Sequence, residues 1–305
     1  MQLDLYINTL GKHLKSCFDF PVQKIGIDAG FTCPNRDGTL GRGGCTFCNN
    51  ASFHDQSLRK AGIDSQLNAG REKLRANNYM AYFQAYTNTY AESEVLRQLY
   101  QEALQDPDMV GLCVGTRPDC LPDATLELLA EFKAMGYEVW LELGLQTSHN
   151  HTLDLINRGH HFDAYVDAVK RAKALGLQVC AHLILGLPGE TAADCHTTLD
   201  RIVEVGVDGI KLHPLMVVRG SLMAKQYAAG ELTVMDEDDY IALAAEMIQR
   251  TPINVVYHRI AAQARRPTLI APEWCSSGRG TSSKIAKVLA VSGVQGSKLG
   301  GFTKI

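Results

Sequence analysis

The 305-residue chain has no run of about 18 or more apolar residues, so a membrane-spanning helix is excluded at the level of sequence. Its first twenty residues, MQLDLYINTLGKHLKSCFDF, lack the charged start, apolar run and cleavage site of a secretory signal. The expectation is a cytoplasmic protein with no membrane partner. Internal repeats and long low-complexity segments are missing too, so a repeat array is not expected. Nor is the composition unusual: 46% hydrophobic and 21% charged residues describe an ordinary globular chain.

What the chain does have is cysteine. Nine are present, an odd number, in a compartment that keeps thiols reduced. Clustered cysteines there read as metal ligands rather than disulfides. Cys33, Cys45 and Cys48 lie together in the first fifty residues, whereas Cys17, Cys113, Cys120, Cys180, Cys195 and Cys275 are scattered. Cys113 and Cys180 fall in apolar strand-like runs, where a free cysteine is a small core residue.

The overall charge of −3 is unevenly spread. From Thr251 onward eight basic residues (Arg259, Arg265, Arg266, Arg279, Lys284, Lys287, Lys298, Lys304) face one acid, Glu273, which leaves the rest of the chain at −10. This split suits an anionic partner such as RNA, or simply a solvated basic surface.

From Val22 the chain alternates β-like runs (22–29, 79–86, 109–115, 137–145, 177–186, 207–215) with helical patterns. In 162–175, Phe162, Tyr165, Val166 and Val169 share one face. In 122–135, Pro122 suits the first turn, Leu126, Leu129 and Phe132 form the apolar stripe, and Gly136 suits a helix end. Six strand–helix units imply a parallel sheet with right-handed crossovers, and mostly apolar strands imply burial on both faces. The expected class is α/β: a partial TIM-type (β/α)6 barrel with a C-terminal extension, with a doubly wound open sheet as the rival. Both place the active site at the C-terminal ends of the strands. The expected organisation is a lead-in over 1–21, a barrel core over 22–220, an extension over 221–275 and a basic Gly/Ser/Lys-rich tail over 276–305. Within the extension, TPINVVYHRI reads as one more strand.

Residues 26–50 read GIDAGFTCPNRDGTLGRGGCTFCNN, with eleven residues between Cys33 and Cys45 and two between Cys45 and Cys48. The close pair lets two thiolates converge, and the glycines let the backbone wrap around what they hold. Three thiolates can hold three irons of a 4Fe–4S cluster and leave the fourth open. A zinc site completed by His54 and a redox pair at Cys45 and Cys48 are the alternatives. The position of the three cysteines, after the first strand of a strand–helix array, favours the cluster.

This layout resembles the radical S-adenosylmethionine (SAM) superfamily, whose cysteines follow the first barrel strand. Phe47 matches the aromatic that precedes the third cysteine beside the adenine of SAM. The family's commonest spacing has three residues, not eleven, between the first two cysteines. The longer spacing resembles the branch of the Elongator catalytic subunit, and residues 20–275 resemble a bacterial subfamily close to it. QAYTNTY (84–90) stands where the family has a Gly-Gly-Glu segment for the SAM amino group, so Gln84, Thr87 and Asn88 are the substitutes. TRPD (116–119) and ELGLQT (142–147) resemble the Elongator-like pattern. They imply Glu142 and Gln146 at the barrel mouth and Arg117 near substrate. NRGH (157–160) offers Arg158 for the SAM carboxylate or ribose. HLILGLPGE (182–190) resembles the segment packing on adenine, which brings in His182 and Leu187. Lys211 and His213 stand where substrate would be held. Plainer readings exist: Glu142 as a buried acid paired with Arg117 or Arg158, His213 as a loop residue, and GLPGE as turn chemistry.

The resemblance implies a 4Fe–4S cluster and SAM as cofactors, and a reducing donor of the flavodoxin or ferredoxin type. It also implies reductive cleavage of SAM to a 5′-deoxyadenosyl radical that takes a hydrogen from substrate. With the basic tail it implies tRNA as substrate, at a wobble-uridine side chain. No acetyltransferase domain follows the barrel, and no second cluster is evident, which disfavours sulfur insertion. A small metabolite as substrate, and a non-catalytic zinc-stabilised RNA-binding protein, are the other readings.

Overall fold

In a computed structural model, residues 3–49, 61–74, 76–276 and 280–299 are described. Seven parallel strands form one sheet in the order β1 (Val22–Ile27), β2 (Asn78–Phe83), β3 (Met109–Thr116), β4 (Glu138–Gln146), β5 (Gln178–Leu185), β6 (Gly209–Pro214) and β8 (Val256–Arg259). Every neighbour pair is parallel, so the sheet grows one way without a reversal point, which is the partial barrel and not the doubly wound rival. The run 253–260 thus enters the main sheet as its last strand. A two-stranded antiparallel ribbon, β7 (Val217–Val218) with β9 (Leu269–Ala271), stands apart from it.

The connecting helices include α4 (Ser93–Leu104), α5 (Asp123–Ala134), α6 (Asn150–Leu155), α7 (Phe162–Ala174) and α8 (Ala192–Val205). Local chemistry sets their ends. α5 starts directly after Pro122, and Gly136 follows it at φ 97°. α8 opens on a Thr191/Asp194 capping box and ends at Gly206 in the left-handed region.

Alternation along each strand divides the core into two sides. Ile25, Phe83, Val114, Leu141, Leu183 and Leu212 pack outward into the layer shared with the helices. Met80, Cys113, Trp140, Cys180 and Val256 point inward and meet Leu10 and Leu14 of α1 (Leu10–Cys17), which plugs the N-terminal end of the barrel. Cys113 and Cys180 are thus core residues, as their apolar surroundings require. Above this floor the interior turns polar, with Lys24, Glu142, His182, Lys211 and His258 at mid-height.

The C-terminal segment is more ordered than its Gly/Ser/Lys content implies. After α10 (Glu237–Arg250), residues Thr281–Ser292 form α11, which packs on α10 through Ile285 and Leu289. Part of its charge is answered in space: Lys284 pairs with Glu237 at 2.5 Å, Lys298 with Glu246 at 3.5 Å, and Arg266 with the segment's own acid, Glu273. Arg259 closes β8 beside Lys211 instead of joining a surface patch. Arg279 and Lys304 lie outside the described residues.

Gly209 marks where the floor is tightest. A Cβ there would sit 2.9 Å from the Trp140 ring and 3.1 Å from the Val256 carbonyl oxygen. Trp140 is fully buried and cannot swing away. Gly209→Ala is therefore expected to cost about 1–3 kcal/mol, the range for overpacking a filled core. Urea unfolding checks it; a loss below about 0.5 kcal/mol would show that the floor can relax.

Candidate active site

The three cysteines come to the open end of the barrel on a loop that follows β1. Cys33 begins the short helix α2 (Pro34–Asp37), with Pro34 at its first position, where a missing N–H costs nothing. Gly43 and Gly44, at φ 84° and 80°, then turn the chain into Cys45. A side chain at Gly44 would collide with Arg36 at 2.7 Å. The Cys48 N–H donates to the Cys45 carbonyl at 3.0 Å, closing the turn.

The segment after α6 pins this loop from the far side of the barrel. Asn157 Nδ2 donates to the Gly44 carbonyl at 2.8 Å, and the Thr46 N–H to the Ile156 carbonyl at 3.0 Å. Arg158 Nη1 lies 3.5 Å from the Cys45 sulfur, while its Nε and Nη2 donate to the Gly144 carbonyl at 3.1 and 2.5 Å. The absence of a side chain at Gly144 makes this possible, since a Cβ would stand 2.8 Å from Arg158 Nη2. Arg36 anchors the other end, with Nη2 donating to the Cys48 carbonyl at 2.7 Å. Burial, then the neighbouring Cys45 thiol, pushes the Cys48 thiol up against the pull of Arg36. A free thiolate at Cys48 is therefore costly, and binding iron relieves that cost. A cluster fits this donor set.

Cys33, Cys45 and Cys48 line one side of a cavity of about 200 Å³ whose opposite wall comes from the strands. Gln84, Thr87, Arg117, Gln146 and Arg158 line it near the rim, and Glu142, His182, Lys211 and His213 line it deeper. Phe47 also faces it, and packs on the apolar cluster of Ile156, Ile184 and Leu187. Leu187 is buried in that cluster and lines none of the cavity. Asn88 lines none of it either: its amide donates to the carbonyls of Phe83 at 3.1 Å and Gly115 at 2.7 Å, tying β2 to β3. Arg117 is held in a two-pronged pair with Asp119 at 2.9 and 2.7 Å, and donates to the Arg158 carbonyl at 2.8 Å. His54, the candidate zinc ligand, lies outside the described residues.

Glu142 is the centre of the polar interior. It is fully buried, and its partners are not Arg117 or Arg158, which enter from beyond the strand ends. Instead it accepts from Lys24 Nζ at 2.6 Å and Lys211 Nζ at 2.9 Å, and pairs with His182 Nε2 at 2.7 Å and His258 Nδ1 at 3.0 Å. Lys211 also donates to Tyr82 Oη at 2.6 Å. His213 belongs to β6, not to a loop, with its ring 5.9 Å from that of His182. Burial works against the Glu142 carboxylate, yet Lys211 and Lys24 outweigh it and hold its pKa well below the ordinary value. Burial pushes Lys211 down to about 8.

Lys24, Tyr82 and His258 escape sequence reasoning. The signal was present: Lys24 is the one basic residue inside the run VQKIGIDA, and a charge buried in a strand needs a partner. Strain was not legible either. Tyr86 at φ 65° and Gln146 at φ 80° are non-glycine residues in the left-handed region, and both line the cavity.

Family models match most of the chain: the radical SAM superfamily over residues 33–202, and the radical SAM C-terminal domain over 207–290. The chain belongs to the radical SAM superfamily. It is an enzyme of that superfamily, whose members use a 4Fe–4S cluster and SAM and need an electron donor. This sets aside the non-catalytic zinc-binding reading. The chain is 55% identical over 302 residues to the protein YhcC of Escherichia coli (strain K12), covering 98% of this chain and 97% of the relative. It is 30% identical over 155 residues to a tRNA uridine(34) acetyltransferase of Dehalococcoides mccartyi, covering 50% of this chain and 33% of that one. A solved structure of archaeal Methanocaldococcus infernus Elp3 superposes with a TM-score of 0.67 at 18% identity, over 90% of this chain. The chain spans 64% of that structure's length, and the likeness shows the fold. No helix among the described residues is long and apolar enough to cross a membrane.

Burial holds the interior histidines neutral: His182 is lowered to about 4 and His258 to about 3. Burial lowers His213 in the same direction. Below about pH 6.5 the unfolded chain therefore takes up protons that the folded chain refuses. Stability contributed by these groups is present above that pH and is lost as pH falls toward 4. The Glu142 contribution is likewise present above its unfolded pKa and lost as pH falls through its lower folded value. Urea unfolding at pH 7, 6 and 5 is expected to show a steady fall in stability; a flat profile would mean that the histidines take up protons equally in the folded and unfolded chain.

Proposed function

We propose that Cys33, Cys45 and Cys48 hold the 4Fe–4S cluster, and that the chain is a cytoplasmic enzyme modifying a wobble-uridine side chain of tRNA. The observation that carries the reading is that these three thiols and the polar interior tier line one cavity. When bound, the cluster and SAM supply reductive cleavage of SAM and the 5′-deoxyadenosyl radical that removes a hydrogen from substrate. The chain's own residues supply position and exclusion of water. Arg158 holds the Cys45 thiolate by a charge-assisted contact and braces the loop on β4. Gln84, Thr87 and Gln146 at the rim are the polar groups for the amino-acid end of SAM, with Phe47 for its adenine.

Deeper in, Lys211 and His213 are the substrate groups. The charges there favour an anionic substrate: Lys211 lines the cavity, and it shares the single carboxylate of Glu142 with a second lysine, Lys24. Arg259 lies near enough to depress the pKa values of His213 and Lys211. The partial match to tRNA uridine(34) acetyltransferases and the Elp3-like fold support tRNA as the carrier. Arg265 is exposed and offers a phosphate contact. A small metabolite is the second reading, because a cavity of about 200 Å³ also suits a free small ligand.

The test is anaerobic reconstitution with iron and sulfide, then reduction in the presence of SAM. About four irons per chain and formation of 5′-deoxyadenosine are expected, with both lost in a Cys45→Ala/Cys48→Ala variant. tRNA from cells lacking the gene is then expected to raise 5′-deoxyadenosine formation and to return with an altered nucleoside at position 34. Stimulation by a metabolite extract, with the tRNA nucleosides unchanged, would replace the tRNA reading by the small-molecule one.

A further inference from the structure

A second cluster of metal-binding side chains lies at the opposite end of the barrel from the cysteine loop. His13 and Cys17 are one turn apart on α1, so both face the same way. Glu138 is the first residue of β4, four residues below Glu142 on the same strand. Among the described residues these are the one trio of His, Cys, Asp or Glu whose ligand atoms all lie within 4.8 Å of one another.

The spacing is that of a coordination shell. His13 Nε2 and Cys17 Sγ are 3.6 Å apart. Bonds of about 2.0 Å to an imidazole nitrogen and about 2.3 Å to a thiolate, at a tetrahedral angle, put the two donor atoms about 3.5 Å apart. His13 Nε2 and Glu138 Oε1 are 3.0 Å apart, a few tenths short of the tetrahedral value. Trp140 Nε1 donates to Glu138 Oε1 at 2.8 Å and orients the carboxylate, as partners outside a coordination shell commonly do. His13 also packs edge-on against the Trp140 ring at 5.5 Å, which fixes the imidazole plane. Cys17 is exposed, so an ion has a route in and a water can take the fourth position.

We propose that His13, Cys17 and Glu138 form a divalent metal site, with zinc as the ion. A thiolate, an imidazole and a carboxylate together make the borderline donor set that suits zinc better than magnesium or calcium. Binding displaces the Cys17 proton, so uptake of one zinc releases one proton from the thiol. The bound ion joins α1 to the first residue of β4 and so fastens the plug to the barrel floor. This site shares no residue with the cysteine loop and takes no part in the radical chemistry.

The test uses the cluster-loaded protein without oxygen. It is treated with iodoacetamide with and without a few equivalents of zinc chloride, and labelling at each cysteine is read by peptide mass spectrometry. Zinc is expected to slow labelling of Cys17 at least tenfold, and to leave it nearly unchanged in His13→Gln and Glu138→Gln variants. Equal Cys17 labelling with and without zinc in the wild-type chain would overturn the proposal. So would protection of Cys17 that persists in either variant.

Discussion

One buried carboxylate holds the two edges of the sheet together. Glu142 sits on the middle strand, and its partners come from β1 (Lys24), β5 (His182), β6 (Lys211) and β8 (His258). β1 and β8 are the first and last strands in the sheet order and share no ladder. They meet through this carboxylate and through Lys24 Nζ, 3.1 Å from His258 Nδ1. A bare carboxylate in such a place would cost several kcal/mol, and so would each lysine, so no member of the set is tolerable alone. The sheet must therefore curl far enough to bring Lys24 to His258.

The remaining parts follow from that curl. Below the charged tier, Trp140 and the inward cysteines fill the narrowed floor and α1 closes it. Above the tier the strands splay, and the cavity opens between them and the cysteine loop. That loop is placed by hydrogen bonds from Asn157 and Arg158 and by the packing of Phe47 on the apolar cluster around Ile156. Strain at Tyr86 and Gln146 is confined to this end, where order comes from polar contacts and not from a filled core. The chain thus separates a densely packed lower half from an upper half that lines a cavity.

Much of this was legible in the residues. The alternation of apolar runs and amphipathic helices implied a parallel strand–helix array, and the three cysteines at the first strand end carried the family resemblance that implies the chemistry. The network around Glu142 was not legible, for a physical reason. In a strand buried on both faces, periodicity does not say which face a residue occupies, so Lys24 and His258 could not be placed opposite Glu142. Asn88 was read as a ligand group because it lies in the right segment, yet the carbonyls of Phe83 and Gly115 claim its amide. The basic C-terminal segment looked unbalanced because its acidic partners, Glu237 and Glu246, lie far away in the chain. Linear charge counts miss such pairing.

The most direct test of the central claim is the stability of a Glu142→Gln variant, measured by urea unfolding beside the wild-type chain. The substitution keeps the shape but leaves Lys24 and Lys211 buried without a counter-charge. A loss of about 3–5 kcal/mol is expected, the range for breaking a buried ion pair from one side. A loss within about 0.5 kcal/mol of zero would contradict the account, because the two edges of the sheet would then be held by something other than this carboxylate.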